Sequence, residues 1–182
     1  MTRAVMLVER GFQDEEYVYA YYRMLEEGWA VDVASPDGKT VHGKFGVPAR
    51  VTTSIELVCG VKYDAVVLPG GFECPDRLRM RKDVQMIVRW HCEEGSLVAA
   101  ICHAPSILVS AGVCKGRTMT GYESIKDDIV NAGADYRDES VVVDRNIITS
   151  PHYRDNGPFM KAVVGWFPRN NRWDDAAHGS NF

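Results

Sequence analysis

Short apolar runs alternate along the chain with longer segments in which apolar residues recur every three or four positions. The short runs predict buried strands, and the periodic segments predict helices that cover them. The predicted strands are 4–8, 30–35, 64–71 and 97–101 with a pair inside 140–150, and the predicted helices are 14–28, 82–94, 105–112, 122–133 and 158–167. Between them, 38–53 alternates weakly and contains several glycines, which favours a β-hairpin or an irregular extended loop.

Strands that alternate with helices indicate a mostly parallel sheet with helices on both faces. In such sheets the side chains that carry chemistry lie at the carboxyl ends of the strands. Three stretches reach that edge: 9–16 after the first strand, the Pro-Gly-Gly turn that ends at Gly71, and Cys102. We expect a single domain over 1–167, followed by a polar tail over 168–182.

Composition narrows the classes of partner. With 182 residues, of which 46% are apolar and 25% charged, the chain has the balance of an ordinary soluble globular protein. A formal net charge of -4 without a basic block argues against a nucleic-acid partner. No apolar run is long enough to span a membrane, and the start "MTRAVMLVER" does not resemble a signal peptide, so we expect a cytoplasmic protein without a membrane partner.

The cysteines point to free thiols. Five cysteines without close spacing do not look like a disulfide framework, and the lack of a CxxC pair argues against a structural zinc site. No metal or organic cofactor is implied. Cys59, Cys92 and Cys114 fit the ordinary interpretation of a free cysteine as a small hydrophobic residue.

The stretch "SLVAAICHAP" (96–105) singles out Cys102. An apolar strand runs into a helix through one residue, and a side chain at such a turn projects into the cleft above the sheet. Helix amides at the turn that Pro105 helps to start would lower the pKa of the thiol and hold an oxyanion. Gly71 would supply a second donor, since glycine lets the backbone approach a substrate closely.

A simpler interpretation is that Cys102 is only a buried hydrophobic residue. The strand–Cys–His–helix context favours the reactive interpretation. The role of His103 stays open on this reasoning, because neighbouring residues on a tight turn need not face each other.

Four motifs in order resemble the ThiJ/PfpI superfamily, which includes PfpI-type intracellular peptidases, protein deglycases and glutathione-independent glyoxalases. The motifs are "EEGW" (26–29), "LPGG" (68–71), "AICHAP" (100–105) and "GYESIKDDIVNAGA" (121–134). The resemblance implies a flavodoxin-like three-layer α/β sandwich, similar to class I glutamine amidotransferases. It also implies a Cys102 nucleophile with His103 beside it and an oxyanion pocket formed by the amides of Gly71 and His103, with Gly70 as a further binding residue. Glu16 matches an acid that hydrogen-bonds the thiol.

Glu16 would otherwise be one more solvated charge on the first helix. In a cleft beside the thiol it would be desolvated, and its raised pKa would let it share a proton with Cys102.

The resemblance also implies residues around the pocket. PfpI-type members complete a triad with an acid from a neighbouring subunit, and Asp76 matches that acid, which implies a homo-oligomer with sites near the interface. Alternatively, Asp76 is a helix cap. Lys44 and Tyr122 match positions beside the pocket, where Tyr122 either donates to a substrate oxygen or is an aromatic residue at the edge of the core.

Some positions depart from the family pattern and bear on the substrate. Gln13 stands where PfpI-type peptidases tend to carry a glutamate, and 72–74 lengthen the loop after the third strand. "SPHYRDNGP" (150–158) replaces the usual Ser-Arg-x-Pro, so His152 and Arg154 either contact the substrate or only reshape the rim of the pocket.

Several functions follow from these residues. The first is an enzyme that forms a Cys102 adduct with a small carbonyl substrate, above all a 2-oxoaldehyde such as methylglyoxal or its adducts on proteins. Alternatives are a cysteine peptidase or amidohydrolase acting on peptides, and a hydratase or lyase of a specialised metabolite. A non-enzymatic redox sensor is another, with Cys74 as the resolving thiol. A glutamine amidotransferase is disfavoured because the late "PHYRD" lacks a His-x-Glu pattern.

Overall fold

The computed structural model describes residues 1–167, and its longer strands lie where the sequence has short apolar runs. The strands are β1 Arg3–Leu7, β2 Ala30–Ser35, β3 Thr53–Ser54, β4 Ala65–Leu68, β5 Leu97–Ile101, β6 Thr118–Met119, β7 Asp135–Tyr136, β8 Val142–Asp144 and β9 Ile147–Ser150. The helices are α1 Asp14–Glu26, α2 Ile55–Val58, α3 Glu73–Leu78, α4 Lys82–Glu93, α5 Pro105–Ala111, α6 Lys126–Asn131 and α7 Asn156–Gly165, with 3-10 turns at Glu123–Ile125 and Tyr153–Asp155.

The strands of the described chain form two sheets. In the larger sheet the order is β3-β2-β1-β4-β5-β9-β8, and each pair is parallel except β8 with β9. Because the order changes direction between β1 and β4, right-handed crossovers place α1 on one face of the sheet and α4 on the other. α7 packs against α1, and α5 packs against α4. This arrangement confirms the predicted three-layer α/β sandwich of the flavodoxin-like type.

The central strands are apolar along their whole length because helices cover both faces of the sheet. Every residue of β4 and β5 is buried, and so are the last four residues of β1. The carboxyl ends of β1, β4 and β5 therefore meet at one edge, beside the point where the strand order changes direction. Ligands of such sheets bind at that point.

The helix predicted over 122–133 is divided into two parts. Glu123–Ile125 form a 3-10 turn, and α6 begins only at Lys126. The Tyr122 amide donates to the Cys102 carbonyl at 2.8 Å, so the start of this segment is bonded to the end of the central strand and not to its own helix.

The segment over 38–53 is an irregular loop with one isolated antiparallel bridge, in agreement with the second of the two predicted forms. Asp14 secures this loop to α1. Its buried carboxylate accepts hydrogen bonds from the amides of Phe45 (2.8 Å) and Val47 (2.9 Å). The loop is therefore held over the carboxyl edge of the sheet.

Within residues 1–167, no helix combines the length and the apolar character that crossing a membrane requires. The predicted polar tail, 168–182, lies outside the described residues.

Candidate active site

Cys102 stands at the sharp turn between β5 and α5. Its φ is +62°, in the left-handed region that residues other than glycine rarely adopt. The backbone on both sides fixes the turn, because the Cys102 amide donates to the Ser150 carbonyl at 2.9 Å and the Tyr122 amide donates to the Cys102 carbonyl. β5 ends at Ile101 and α5 begins at Pro105, so the turn has three residues, 102–104, and not the single residue that the sequence predicts; Cys102 is the first of the three.

A buried carboxyl lies beside this thiol. Glu16 is in the first turn of α1, and only 1% of its surface is exposed. Its Oε2 accepts a hydrogen bond from the Gly70 amide at 2.7 Å, whereas its Oε1 is buried without a hydrogen-bond partner in the described part of the chain. Burial raises the pKa of Glu16 to about 8, so the carboxyl keeps its proton at neutral pH, as expected for a desolvated acid.

Two glycines let neighbouring parts of the chain approach closely at this site. A Cβ atom on Gly70 would lie 2.6 Å from both the Cys102 Cβ and the Glu16 Oε2. Gly71 has a φ of +84°, and a Cβ atom there would lie 2.7 Å from the Gln13 nitrogen. Any side chain at Gly70 would therefore push the thiol and the carboxyl apart, and one at Gly71 would push away the loop before α1.

The pKa of the Cys102 thiol does not follow the expectation from the sequence. The amides of Gly71 and His103 donate toward the sulfur and favour its thiolate, but only 6% of Cys102 is exposed. Burial raises the pKa of the Cys102 thiol, and the Glu16 carboxylate raises it further when it is ionised. The predicted lowering of this pKa is therefore wrong for the resting site, because desolvation outweighs the two amides. A thiolate forms here only when a neighbouring base takes the proton.

His103 is in contact with the thiol. Its Nδ1 lies 3.2 Å from Cys102 Sγ, and its Nε2 lies 3.2 Å from Ser124 Oγ. The ring stacks on Tyr122, with centroids 4.5 Å apart and an angle of 21° between the planes. Burial and the Lys44 ammonium lower the pKa of His103, so the imidazole is neutral near neutral pH and able to accept a proton.

Lys44 reaches the site from the loop that Asp14 secures. Its Nζ lies 5.2 Å from the ring centroid of Phe45 and 5.8 Å from that of Phe72. Both rings are exposed, and their faces attract the cation. Since Lys44 also acts on the pKa of His103, we place it at the mouth of the site.

The wall of the site continues from Tyr122 to His152. The two ring centroids lie 5.9 Å apart, with an angle of 29° between the planes. His152 Nδ1 accepts a hydrogen bond from the Arg154 amide at 3.2 Å. Arg154 itself is exposed, with its guanidinium 5.9 Å from the Tyr153 ring. His152 is thus part of the row of rings next to His103, and Arg154 lies at the outer end of that row.

Asp76 is not joined to this group within one chain. It is exposed, and it forms no hydrogen bond or ion pair with the described residues. The interpretation of Asp76 as a helix cap is wrong, because α3 begins at Glu73 with Phe72 as its N-cap. The place of Asp76 beside a neighbouring subunit stays a prediction.

The two remaining candidates near the site are buried. Cys74 is 0% exposed, and its sulfur accepts a hydrogen bond from the Glu9 amide at 3.3 Å. Burial raises the pKa of this thiol, which suits it poorly to resolving a disulfide. Gln13 is the N-cap of α1, and its side chain donates to Glu15 at 2.7 Å.

The structure thus brings together Cys102, His103, Glu16, Gly70 and Gly71, with Tyr122, Lys44 and His152 around them, and leaves Asp76 and Arg154 at the surface. Sequence reasoning missed Ser124 and Phe45. Ser124 lies in a segment whose spacing indicates only a helix, and its place two residues after Tyr122 was the one available signal.

A sequence model of the DJ-1/PfpI family matches residues 2–165, which include every residue of this site. The chain belongs to the DJ-1/PfpI family. The resemblance inferred from the four motifs is therefore confirmed.

Members of the DJ-1/PfpI family are similar to this chain over most of its length. Deglycase PH1704 of Pyrococcus horikoshii is 43% identical and Deglycase PfpI of Pyrococcus furiosus 41% identical, each over 162 residues that cover 89% of this chain and 97% of the relative. Drosophila melanogaster DJ-1beta has a crystal structure with a TM-score of 0.88 and 30% identity, and the match covers 98% of this chain and 96% of that one.

Proposed function

We propose that the chain is a cysteine-dependent enzyme that acts on small carbonyl compounds through a covalent adduct on Cys102. The reaction we favour converts a 2-oxoaldehyde such as methylglyoxal into its 2-hydroxy acid, or removes the aldehyde from its adducts on proteins. The observation that carries the proposal is the Glu16 carboxyl buried beside a thiol at a strained turn. The names of the two archaeal deglycases support the same class of substrate.

The proposed reaction begins with transfer of the thiol proton to His103 Nδ1. The sulfur then attacks the aldehyde carbon and forms a hemithioacetal, whose oxygen is held by the amides of Gly71 and His103 as it gains negative charge. The hydrogen on that carbon moves as a proton to the adjacent carbonyl carbon through an enediol, which leaves a thioester of the 2-hydroxy acid. Water hydrolyses the thioester, so methylglyoxal and water give lactate with no external oxidant or reductant. Glu16 would exchange the protons.

A second candidate is hydrolysis of peptide or other amides. The position of Asp76 favours it, because an acid from a second copy would complete a Cys–His–acid triad. Gln13 weakens it, since an amide that donates to Glu15 stands where a peptidase would carry another acid. A hydratase or lyase of a specialised metabolite is a related possibility, which the unusual His152 wall favours.

A candidate from another class is a non-enzymatic stress protein that senses oxidants through Cys102. The His103 ring beside the sulfur supports it, whereas the burial of both Cys102 and Cys74 weakens it, because oxidation requires an accessible thiolate.

The test compares wild type with Cys102→Ala and Cys102→Ser on methylglyoxal, on a methylglyoxal adduct of N-acetylarginine and on a peptide amide. We expect turnover of the aldehyde or its adduct that falls at least about a thousandfold in both variants. Cys59→Ser, which removes an exposed cysteine, is the matched control and should be fully active. Turnover of the peptide alone would favour the second candidate. Oxidation of Cys102 by peroxide without any turnover would favour the sensor and contradict the proposal.

A further inference from the structure

The two ring nitrogens of His103 have different partners. Nδ1 is 3.2 Å from Cys102 Sγ, and Nε2 is 3.2 Å from Ser124 Oγ. Among residues 1–167, no carboxylate forms a hydrogen bond with this imidazole. Within one chain, the outer nitrogen of His103 is therefore bonded to a hydroxyl.

Ser124 is held in place by the segment that also carries Tyr122. The Tyr122 amide donates to the Cys102 carbonyl at 2.8 Å, and the Ile125 amide donates to the Tyr122 carbonyl at 3.0 Å. The Tyr122 ring covers one face of His103. The segment 122–125 thus contacts His103 at its ring face and at Nε2. The same segment is hydrogen-bonded to Cys102, whose thiol faces Nδ1.

The position of one hydrogen decides whether His103 can act as a base. To accept the thiol proton at Nδ1, the neutral ring must carry its own hydrogen on Nε2. That hydrogen needs an acceptor, and Ser124 Oγ is at hydrogen-bond distance. Without this acceptor the other tautomer competes, and it would donate to the sulfur instead of accepting from it.

We propose that Ser124 is a positioning residue that selects this tautomer of His103 and orients the ring toward Cys102. The inference rests on Cys102 being the reactive thiol, as proposed above, but on no particular substrate. When the proton moves from Sγ to Nδ1, the ring becomes an imidazolium whose Nε2–H continues to donate to Ser124 Oγ. The exposed Ser124 hydroxyl gives its own hydrogen bond to water, so no further proton transfer is needed.

The other titratable groups around the imidazole act in defined directions. Lys44 lowers the pKa of His103, Tyr122 packs its phenol ring against one face, and Glu16 acts through the sulfur of Cys102. Ser124 opposes the effect of Lys44, because its oxygen stabilises the imidazolium.

The test is the pH dependence of alkylation of Cys102 by iodoacetamide, followed on the Cys102 peptide by mass spectrometry because the exposed Cys59 would react as well. The thiolate displaces iodide from the reagent, so the rate reports the thiolate population without any substrate. We expect Ser124→Ala to slow alkylation near neutral pH by about three- to tenfold, the effect of losing one hydrogen bond, and Ser124→Thr to restore it.

Two further variants separate positioning from a general structural role. Ser124→Asp places a carboxylate at the same nitrogen and should shift the alkylation profile to lower pH, because it stabilises the imidazolium, whereas Ser124→Asn should not. Ser140→Ala removes another exposed serine and should leave the profile unchanged.

A wild-type profile for Ser124→Ala, or a threonine variant as slow as the alanine variant, would overturn the proposal. If Asp76→Asn changed the alkylation profile and Ser124→Ala did not, the partner of Nε2 would be an acid from another subunit. That result would also overturn the proposal. The expected alkylation pattern in a protein that turns over no carbonyl compound would support the role of Ser124 and contradict only the proposed function.

Discussion

Two weak acids, Glu16 and Cys102, lie side by side in a pocket that water hardly enters. Each would cost free energy as an isolated buried anion, and the cost of two adjacent anions would be larger still. The amides of Gly70, Gly71 and His103 offset the cost of one negative charge. Such a pocket favours a neutral resting state and a single charge on the sulfur or on the substrate oxygen during the reaction.

Glu16→Gln measures the cost of burying the carboxyl. The pKa of Glu16 rises on folding from 4.5 to about 8, so its contribution to stability is complete below the lower value and is lost as the pH rises through the higher one. Between about pH 5 and about pH 8, the free energy of unfolding of wild type should fall relative to the variant by on the order of a few kcal/mol. Urea denaturation at each pH gives this difference, with the exposed Glu15→Gln as control. Parallel pH profiles for wild type and Glu16→Gln would refute the raised pKa.

The sequence predicts some residues of this site better than others. Cys102 is predictable because an apolar strand that is followed by a tight turn and a helix leaves the first side chain after the strand at the turn. Periodicity alone does not separate Glu16 from Glu15, and only the family resemblance does so. Ser124 was not predictable, because its contact with His103 depends on a backbone hydrogen bond to Cys102, and no local pattern encodes that bond.

At the scale of elements, irregular segments form the mouth of the site while strands and helices form its floor. The loop over 38–53 owes its position to Asp14, since one carboxylate accepts from two of its amides. Lys44 directly precedes Phe45, and its own amide donates to the Phe12 carbonyl at 2.8 Å, so the position of its side chain depends on both anchors.

Asp14→Ala should release this loop without unfolding the sheet. The amides of Phe45 and Val47 lose a charged acceptor, so their hydrogen exchange should accelerate by at least about tenfold. The Michaelis constant for a carbonyl substrate should rise as Lys44 loses its fixed position. Asp37→Ala, which removes an exposed carboxylate just before the same loop, should change neither quantity. Unchanged exchange in Asp14→Ala would show that other contacts hold the loop.

Long elements were predictable where short ones were not. The periodic segment that became α4 and the apolar run that became β5 are long enough to show their spacing. α2 has four residues, and β6 and β7 have two each, so neither type can show a period. These short elements form because the surrounding chain brings their backbones into place. Their own residues therefore do not predict them.

At the scale of the whole molecule, one copy of the chain contains the thiol, the imidazole and the buried acid but not Asp76. We expect the chain to form a homo-oligomer in which Asp76 of one copy lies near the site of another. Light scattering and sedimentation would detect the oligomer.

Mixing two inactive variants tests this arrangement. Cys102→Ala and Asp76→Ala should each be weakly active, and a dissociated and reassembled mixture should recover activity, up to about a quarter of wild type for a dimer. The gain arises because one mixed site combines an intact thiol with an intact acid from the other copy. Glu123→Ala, which removes a different exposed acid, replaces Asp76→Ala in the control mixture. A reassembled mixture no more active than its components would place Asp76 outside the chemistry.

The left-handed backbone at Cys102 carries a further consequence. A residue with a side chain in that conformation costs the folded state about 1–3 kcal/mol, and a glycine adopts the same φ without that strain. The Cys102→Gly variant should therefore be inactive but unfold at a higher temperature than wild type. Selection for stability alone would replace Cys102 with glycine. The left-handed cysteine therefore marks a position at which the protein gives up folding stability to keep a reactive sulfur.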